Sequence, residues 1–159
     1  MMSKAHEQHS APETETLNPG SNTAERSISN EIEKLGELTS WLTNWLEEHK
    51  VVPSIAYKLR FAMEEITTNA VYYGFPTGSS GTVNVRVTAD AELPVYALEI
   101  LDDGEPFNPL EEVPDANPEL DLDEREIGGL GVFLVKNMFE DCHYQRVDGW
   151  NHLTINIAE

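Results

Sequence analysis

The sequence predicts an α+β, two-layer sandwich, with helices on one face of a mixed, mainly antiparallel sheet. Three observations carry this: two early segments repeat apolar residues at helical spacing, later segments alternate or run apolar over strand lengths, and the order is α, α, β, β, long loop, α, β, β. A chain of 159 residues has the length of one ordinary domain, whose core buries roughly 70% of the unfolded chain's surface. Its 40% hydrophobic and 25% charged residues are globular proportions.

Residues 1–27 are polar and broken by Pro12, Pro19 and Gly20, with Leu17 the one large aliphatic side chain after the initial methionines. Burial there cannot offset ordering entropy, so the expectation is a disordered polar tail over 1–27 and a folded domain over 28–159. Ile32, Leu35, Leu38, Trp41 or Leu42, and Trp45 or Leu46 then form one apolar helix face, with Ser29 or Asn30 as the expected cap. Val51-Val52-Pro53 interrupts. A second helix places Ile55, Leu59, Ala62 or Met63, Ile66, Ala70 and Tyr73 on one stripe and stops at Gly74.

The period then changes from 3.6 to 2. Val83, Val85 and Val87 alternate with polar residues as in a half-buried strand, and residues 95–101 are apolar on nearly both faces, as in a central strand, before Asp102-Asp103-Gly104. Residues 105–128, with four prolines and no sustained periodicity, predict a lid. Residues 132–139 follow as a helix entered through glycines. Residues 142–147 and 153–157 form a hairpin about Asp148-Gly149.

Charge excludes one class of partner. Ten Lys and Arg against 29 Asp and Glu give a formal charge of −19, which repels a nucleic-acid backbone. The single cysteine, Cys142, makes no internal disulfide and no metal cage, which suits a reducing compartment. No apolar stretch is long enough to cross a bilayer and no signal-peptide block opens the chain, so the expectation is a cytoplasmic protein with no membrane partner.

Three clusters could carry chemistry. Glu65 and Asn69 lie four residues apart on one helix, about 6 Å along its axis, and can serve one site. A carboxylate can accept a hydroxyl proton, and an amide oxygen offers Mg²⁺ a hard neutral ligand that leaves places for phosphate and water. Taken alone the pair reads first as an ordinary exposed helix face. Asp102 closes the central strand, where it can accept a hydrogen bond from an exocyclic amine such as adenine's, and Gly104 permits close approach to the backbone. Taken alone this reads first as a turn, since Asp and Gly are standard turn formers. Gly128, Gly129 and Gly131 open the last helix with bare backbone N–H groups and a positive helix end, which suits phosphate, although a glycine hinge has the same composition. Neither GxxxxGK[ST] nor GxGxxG is present.

In order, these clusters resemble a family. EEITTNAVYYG, LDDGEPFNP and GGLGVFLVKNMFED are similar to the N, first-glycine and second-glycine boxes of the GHKL ATPase superfamily, specifically its RsbW-like anti-sigma-factor serine/threonine kinases. The resemblance spans roughly residues 32–157. It implies a Bergerat-type ATP-binding fold, with Asn69 on Mg²⁺, Glu65 as catalytic base, Asp102 on the adenine amine, and Gly104, Gly129 and Gly131 shaping pocket and lid. It also implies a STAS-domain anti-anti-sigma protein as the phosphorylated partner, and a sigma factor as the sequestered one. The sequence departs from the pattern in two places. Members often carry a basic side chain just before the second-glycine box to meet the terminal phosphate, whereas here Ile127 stands there and Arg125 is the nearest substitute. The lid is also rich in acid, with Glu111, Glu112, Asp115, Glu119, Asp121, Asp123, Glu124 and Glu126, which disfavours free ATP unless Mg²⁺ screens it.

Two functions therefore stand: a kinase that phosphorylates its partner, and a non-catalytic nucleotide-binding module that acts by sequestration. Cys142, His143 and His152 read as structural, and the tryptophans as packing groups, with Trp41 and Trp45 also able to serve a homodimer interface.

Overall fold

The computed structural model describes residues 22–112 and 129–159. Strands β1 (Asn22–Ser29), β2 (Thr82–Ala89), β3 (Val95–Asp102), β4 (Asp141–Val147) and β5 (Trp150–Ala158) form one sheet in the order β1-β2-β3-β5-β4. Every pairing is antiparallel. Helices α1 (Leu35–Glu48), α2 (Pro53–Tyr73) and α4 (Gly129–Met138) supply the second layer, and α3 (Pro109–Glu112) is a single turn.

The core lies between the layers. Val83, Val85, Val87, Leu98, Ile100, Leu153 and Ile155 are the inward half of each strand's alternation, and they meet Leu38 and Leu42 of α1, Leu59, Met63 and Ile66 of α2, and Val132 and Val135 of α4. Trp45 belongs to this core at 5% exposure and stacks on His49, with ring centroids 4.0 Å apart. Of the two helix tryptophans, only Trp41 retains appreciable surface. Pro53 opens α2, where its missing N–H costs nothing. The closing hairpin turns through Asp148 at φ 49° and Gly149 at φ 84°, the left-handed pair that a two-residue type I′ turn requires.

Three expectations need correction. Residues 22–27, assigned to the tail, are the first six of β1, and residues 1–21 lie outside the described residues. Strand β1 buries only Ile28, so no apolar alternation announces it. It is held instead by its backbone ladder to β2 and by polar cross-strand pairs: Glu25 to Arg86 at 2.7 Å, Ser27 to Asn84 at 2.7 Å and Thr23 to Thr88 at 3.1 Å. Asn84, Arg86 and Thr88 are themselves buried, so β2 is buried on both faces rather than half-buried. Nor do Ser29 and Asn30 cap α1. Ser29 donates to Glu31, Asn30 bonds Ser79 and Gly81, and a 3₁₀ turn, Ile32–Lys34, intervenes before α1.

Removing β1 uncovers Ile28's packing and the long edge of β2. A chain beginning at residue 30 should therefore melt at least ~5 °C below one beginning at residue 22, as expected for ~2 kcal/mol in a domain of this size. Equal thermal midpoints for the two truncations would contradict this account of the edge.

Candidate functional site

Helix α2 turns two stripes in different directions. Ala62, Met63, Ile66 and Thr67 face the sheet, and Thr67 satisfies its hydroxyl within the helix by donating to the Met63 carbonyl at 2.7 Å. Glu65 and Asn69 fall on the adjoining, half-buried stripe. Burial, and secondly the neighbouring charge of Glu64, raises the Glu65 carboxyl above the usual carboxylate range. No hydrogen bond among the described residues engages the Asn69 amide.

Helix α4 packs against α2 and brings the third cluster to the first. A Cβ placed on Gly131 would lie 1.7 Å from Glu65 Oε2, so only a residue without a side chain lets the first turn of α4 run against that carboxylate. Gly129 begins α4. Gly128 and Arg125, and the acidic stretch beyond Glu112, lie outside the described residues. The part of the expected lid that is described contains α3 rather than loop alone.

The second cluster forms at the end of β3. Asp102 is 8% exposed, and its Oδ1 accepts hydrogen bonds from the Gly104 amide at 3.0 Å and from Asn151 Nδ2 at 2.9 Å. Among the described residues both bonds fall on Oδ1, so Oδ2 remains as an acceptor. Burial raises the Asp102 carboxyl above its ordinary range, against the lowering effect of those two bonds and of nearby Arg146. At Gly104 the protein itself makes a close approach: a Cβ there would sit 2.3 Å from the Gly74 carbonyl oxygen, which accepts from the Glu105 amide at 2.7 Å. The C-terminal end of α2 thus rests on the Asp102 turn while its middle faces α4, and one helix joins all three clusters.

Asn151, Tyr144 and Arg146, which sequence reasoning passed over, complete this end of the site. Arg146 donates to the Gly104 carbonyl at 2.9 Å, and Tyr144 to Asn151 at 2.6 Å. The available signal was register: once Asp148-Gly149 sets the hairpin, β5 beside β3 brings Asn151 opposite Asp102. Elsewhere, burial and then Asp141 push the Cys142 thiol up to about 11, which keeps it protonated and unreactive. His152 is buried against Glu99 at 2.8 Å. No group of three or more His, Cys, Asp or Glu among the described residues could hold a metal. The Asn69 amide oxygen is a hard neutral donor that could hold a phosphate-bound Mg²⁺.

The described residues thus place a buried acceptor at a strand end and a carboxylate against a glycine-opened helix, both along α2. Residues 28–157 match the histidine kinase-like ATPase domain, and the chain belongs to that family. It is 29% identical over 117 residues to the serine/threonine-protein kinase BtrW of Bordetella bronchiseptica, covering 70% of this chain and 79% of that protein. In fold it is similar to the crystal structure of the RsbU and RsbW domains of Rv1364c from Mycobacterium tuberculosis, with a TM-score of 0.57 and 15% identity. That match covers 86% of this chain but 32% of the other, so the chain spans about a third of that protein's length. The resemblance to RsbW-like GHKL proteins read from the three boxes is supported by all three findings.

The Gly131 contact makes a specific prediction. In Gly131→Ala the clashing atoms belong to the flexible end of Glu65, which can rotate away at about 1 kcal/mol, a cost comparable to what Ala gains over Gly in a helix. Stability should stay within ~1 kcal/mol of the parent while ATP turnover falls at least ~10-fold. On a Glu65→Gln background the same change should cost little more, and fully additive losses would disconnect the two residues.

Proposed function

We propose that this domain is an ATP-dependent serine/threonine protein kinase and anti-sigma factor that phosphorylates a STAS-domain anti-anti-sigma protein. The observation that carries the reading is the placement of Glu65, a carboxylate of raised pKa against the glycine-opened end of α4, in a chain similar to a serine/threonine kinase. Pure nucleotide binding has no use for a base at that point.

In this mechanism Asp102 Oδ2 accepts from the adenine amine and so fixes the base end of ATP. Asn69 would hold Mg²⁺, which when bound neutralises charge on the phosphates. Glu65 accepts the proton of the partner's hydroxyl as its oxygen bonds to the γ-phosphorus and the bond to the ADP oxygen breaks. A raised pKa brings the base nearer the working pH, where the proton transfer is better matched. Arg125 is the proposed contact to the terminal phosphate, in place of the basic residue missing at Ile127. No described helix is long and apolar enough to cross a membrane, which is consistent with the cytoplasmic location proposed for such a regulator.

The second reading, sequestration without phosphoryl transfer, is favoured by one observation, Ile127 before the glycines. Two variants separate the readings. Glu65→Gln should retain Mg·ATP binding and lose phosphorylation of the STAS partner by 10²- to 10⁴-fold, whereas Asn69→Ala should weaken both. The parent rate should rise with pH through the Glu65 titration, because only the ionised form accepts a proton. Phosphoryl transfer unchanged in Glu65→Gln would remove the base, and no transfer by the parent to a cognate partner would leave sequestration.

A further inference from the structure

We propose that Asn151 is the positioning residue for base recognition: it ties the Asp102 carboxylate to the loop that follows and directs the remaining oxygen to the ligand's exocyclic amine. The inference rests on the reading of Asp102 given above and concerns what makes that reading selective. Asn151 is the Cα partner of Asp102 across the β3–β5 ladder, so the two side chains stand side by side on the helix-facing side of the sheet.

Its amide is fully used. Nδ2 donates to Asp102 Oδ1 at 2.9 Å and to the Glu105 carbonyl at 2.8 Å, while Oδ1 accepts from the Phe107 amide at 3.1 Å and from the Tyr144 hydroxyl at 2.6 Å. Four bonds are the whole capacity of a carboxamide, and the side chain is 6% exposed. The orientation is forced, because the Phe107 N–H can only donate and the Glu105 carbonyl can only accept. Two separate points of the loop, residues 105 and 107, are therefore fastened to the atom group that fastens Asp102. Arg146, the partner of Asn151 on β4, adds a third point by donating to the Gly104 carbonyl.

The consequence is chemical. With Oδ1 engaged twice, the Asp102 carboxylate cannot rotate without losing a buried bond, so Oδ2 keeps one direction and presents an acceptor to one donor. An aspartate at 151 would keep the shape but place a second carboxylate against Asp102 Oδ1 and lose both donors. Only the amide supplies donors toward residues 102 and 105 and an acceptor toward 107 and 144.

The test measures Mg²⁺-dependent binding of three probes: ATP, inosine triphosphate, which carries a carbonyl in place of the amine, and tripolyphosphate, which has no base. The parent should prefer ATP to inosine triphosphate by at least about tenfold, the worth of one charge-assisted hydrogen bond. Asn151→Asp should bring that ratio close to one and leave tripolyphosphate affinity unchanged. Tyr144→Phe, which removes the hydroxyl that bonds Asn151 and little of the packing, should lower the ratio at least about twofold, and it carries the test if Asn151→Asp fails to fold. Asp102→Asn is the control for the underlying assignment. Its Oδ1 can still accept from Gly104 and Asn151, so its NH₂ faces the ligand, and the preference should reverse toward inosine triphosphate.

A ratio unchanged in both the Asn151 and Tyr144 variants, while Asp102→Asn reverses it, overturns the role of Asn151 alone. Equal weakening of all three probes by Asn151→Asp also overturns it, as the mark of a purely structural residue. An unchanged ratio in Asp102→Asn overturns the assignment of Asp102 and the inference with it.

Discussion

Helix α2 is fixed by its apolar face and used by its other one. Burial of Leu59, Met63 and Ile66 against the sheet contributes about 1.5–3 kcal/mol for each side chain, whereas the bond from the Glu105 amide to the Gly74 carbonyl contributes about 1 kcal/mol. Hydrophobic packing therefore decides where the helix lies, and the polar contacts adjust what it carries. Because Glu65 occupies the stripe beside the buried one, seating the helix aims it at α4. Its end then presses on the Asp102 turn. A shift of α2 along the sheet would break the Gly74 contact and the fit of Glu65 at Gly131 together.

Both site carboxylates are held at an electrostatic cost. Burial raises the Asp102 and Glu65 pKa values, so the unfolded chain releases these protons at lower pH than the folded one. Their contribution to stability is accordingly least unfavourable at low pH and becomes more unfavourable as pH rises from the ordinary carboxylate range through the raised values. A ligand that donates to Asp102, or a hydroxyl that gives its proton to Glu65, relieves that cost. The overall charge of −19 acts in the same direction, since it disfavours a free polyphosphate and favours one already neutralised by Mg²⁺.

The sequence disclosed the elements whose pattern is set by burial. Leu38, Leu42, Leu59 and Met63 at helical spacing, and Val83, Val85 and Val87 at strand spacing, announce their faces because each must meet the core. Strand β1 was not legible, because Thr23, Glu25 and Ser27 are ordered by partners on β2 that lie some sixty positions away. Glu65, Asp102 and Gly131 were legible as candidates through the three boxes, but composition could not show that Gly131 is shaped to Glu65 or that Gly104 is shaped to Gly74. Asn151 was missed for a related reason. An asparagine after a turn looks like turn chemistry until the register of β3 and β5 brings it beside Asp102.

In the proposed function one nucleotide spans from the end of β3 to the start of α4, with the metal at Asn69. The most direct measurement is an amide NMR titration with ATP, first with Mg²⁺ and then with paramagnetic Mn²⁺. The account predicts that the Gly104 and Gly131 amides shift together with a single dissociation constant. It further predicts that Mn²⁺ broadens the Asn69 side-chain amide more strongly than the Gly104 amide. Shifts confined to the β1–α1 side of the domain, or equal broadening at Asn69 and Gly104, would contradict it.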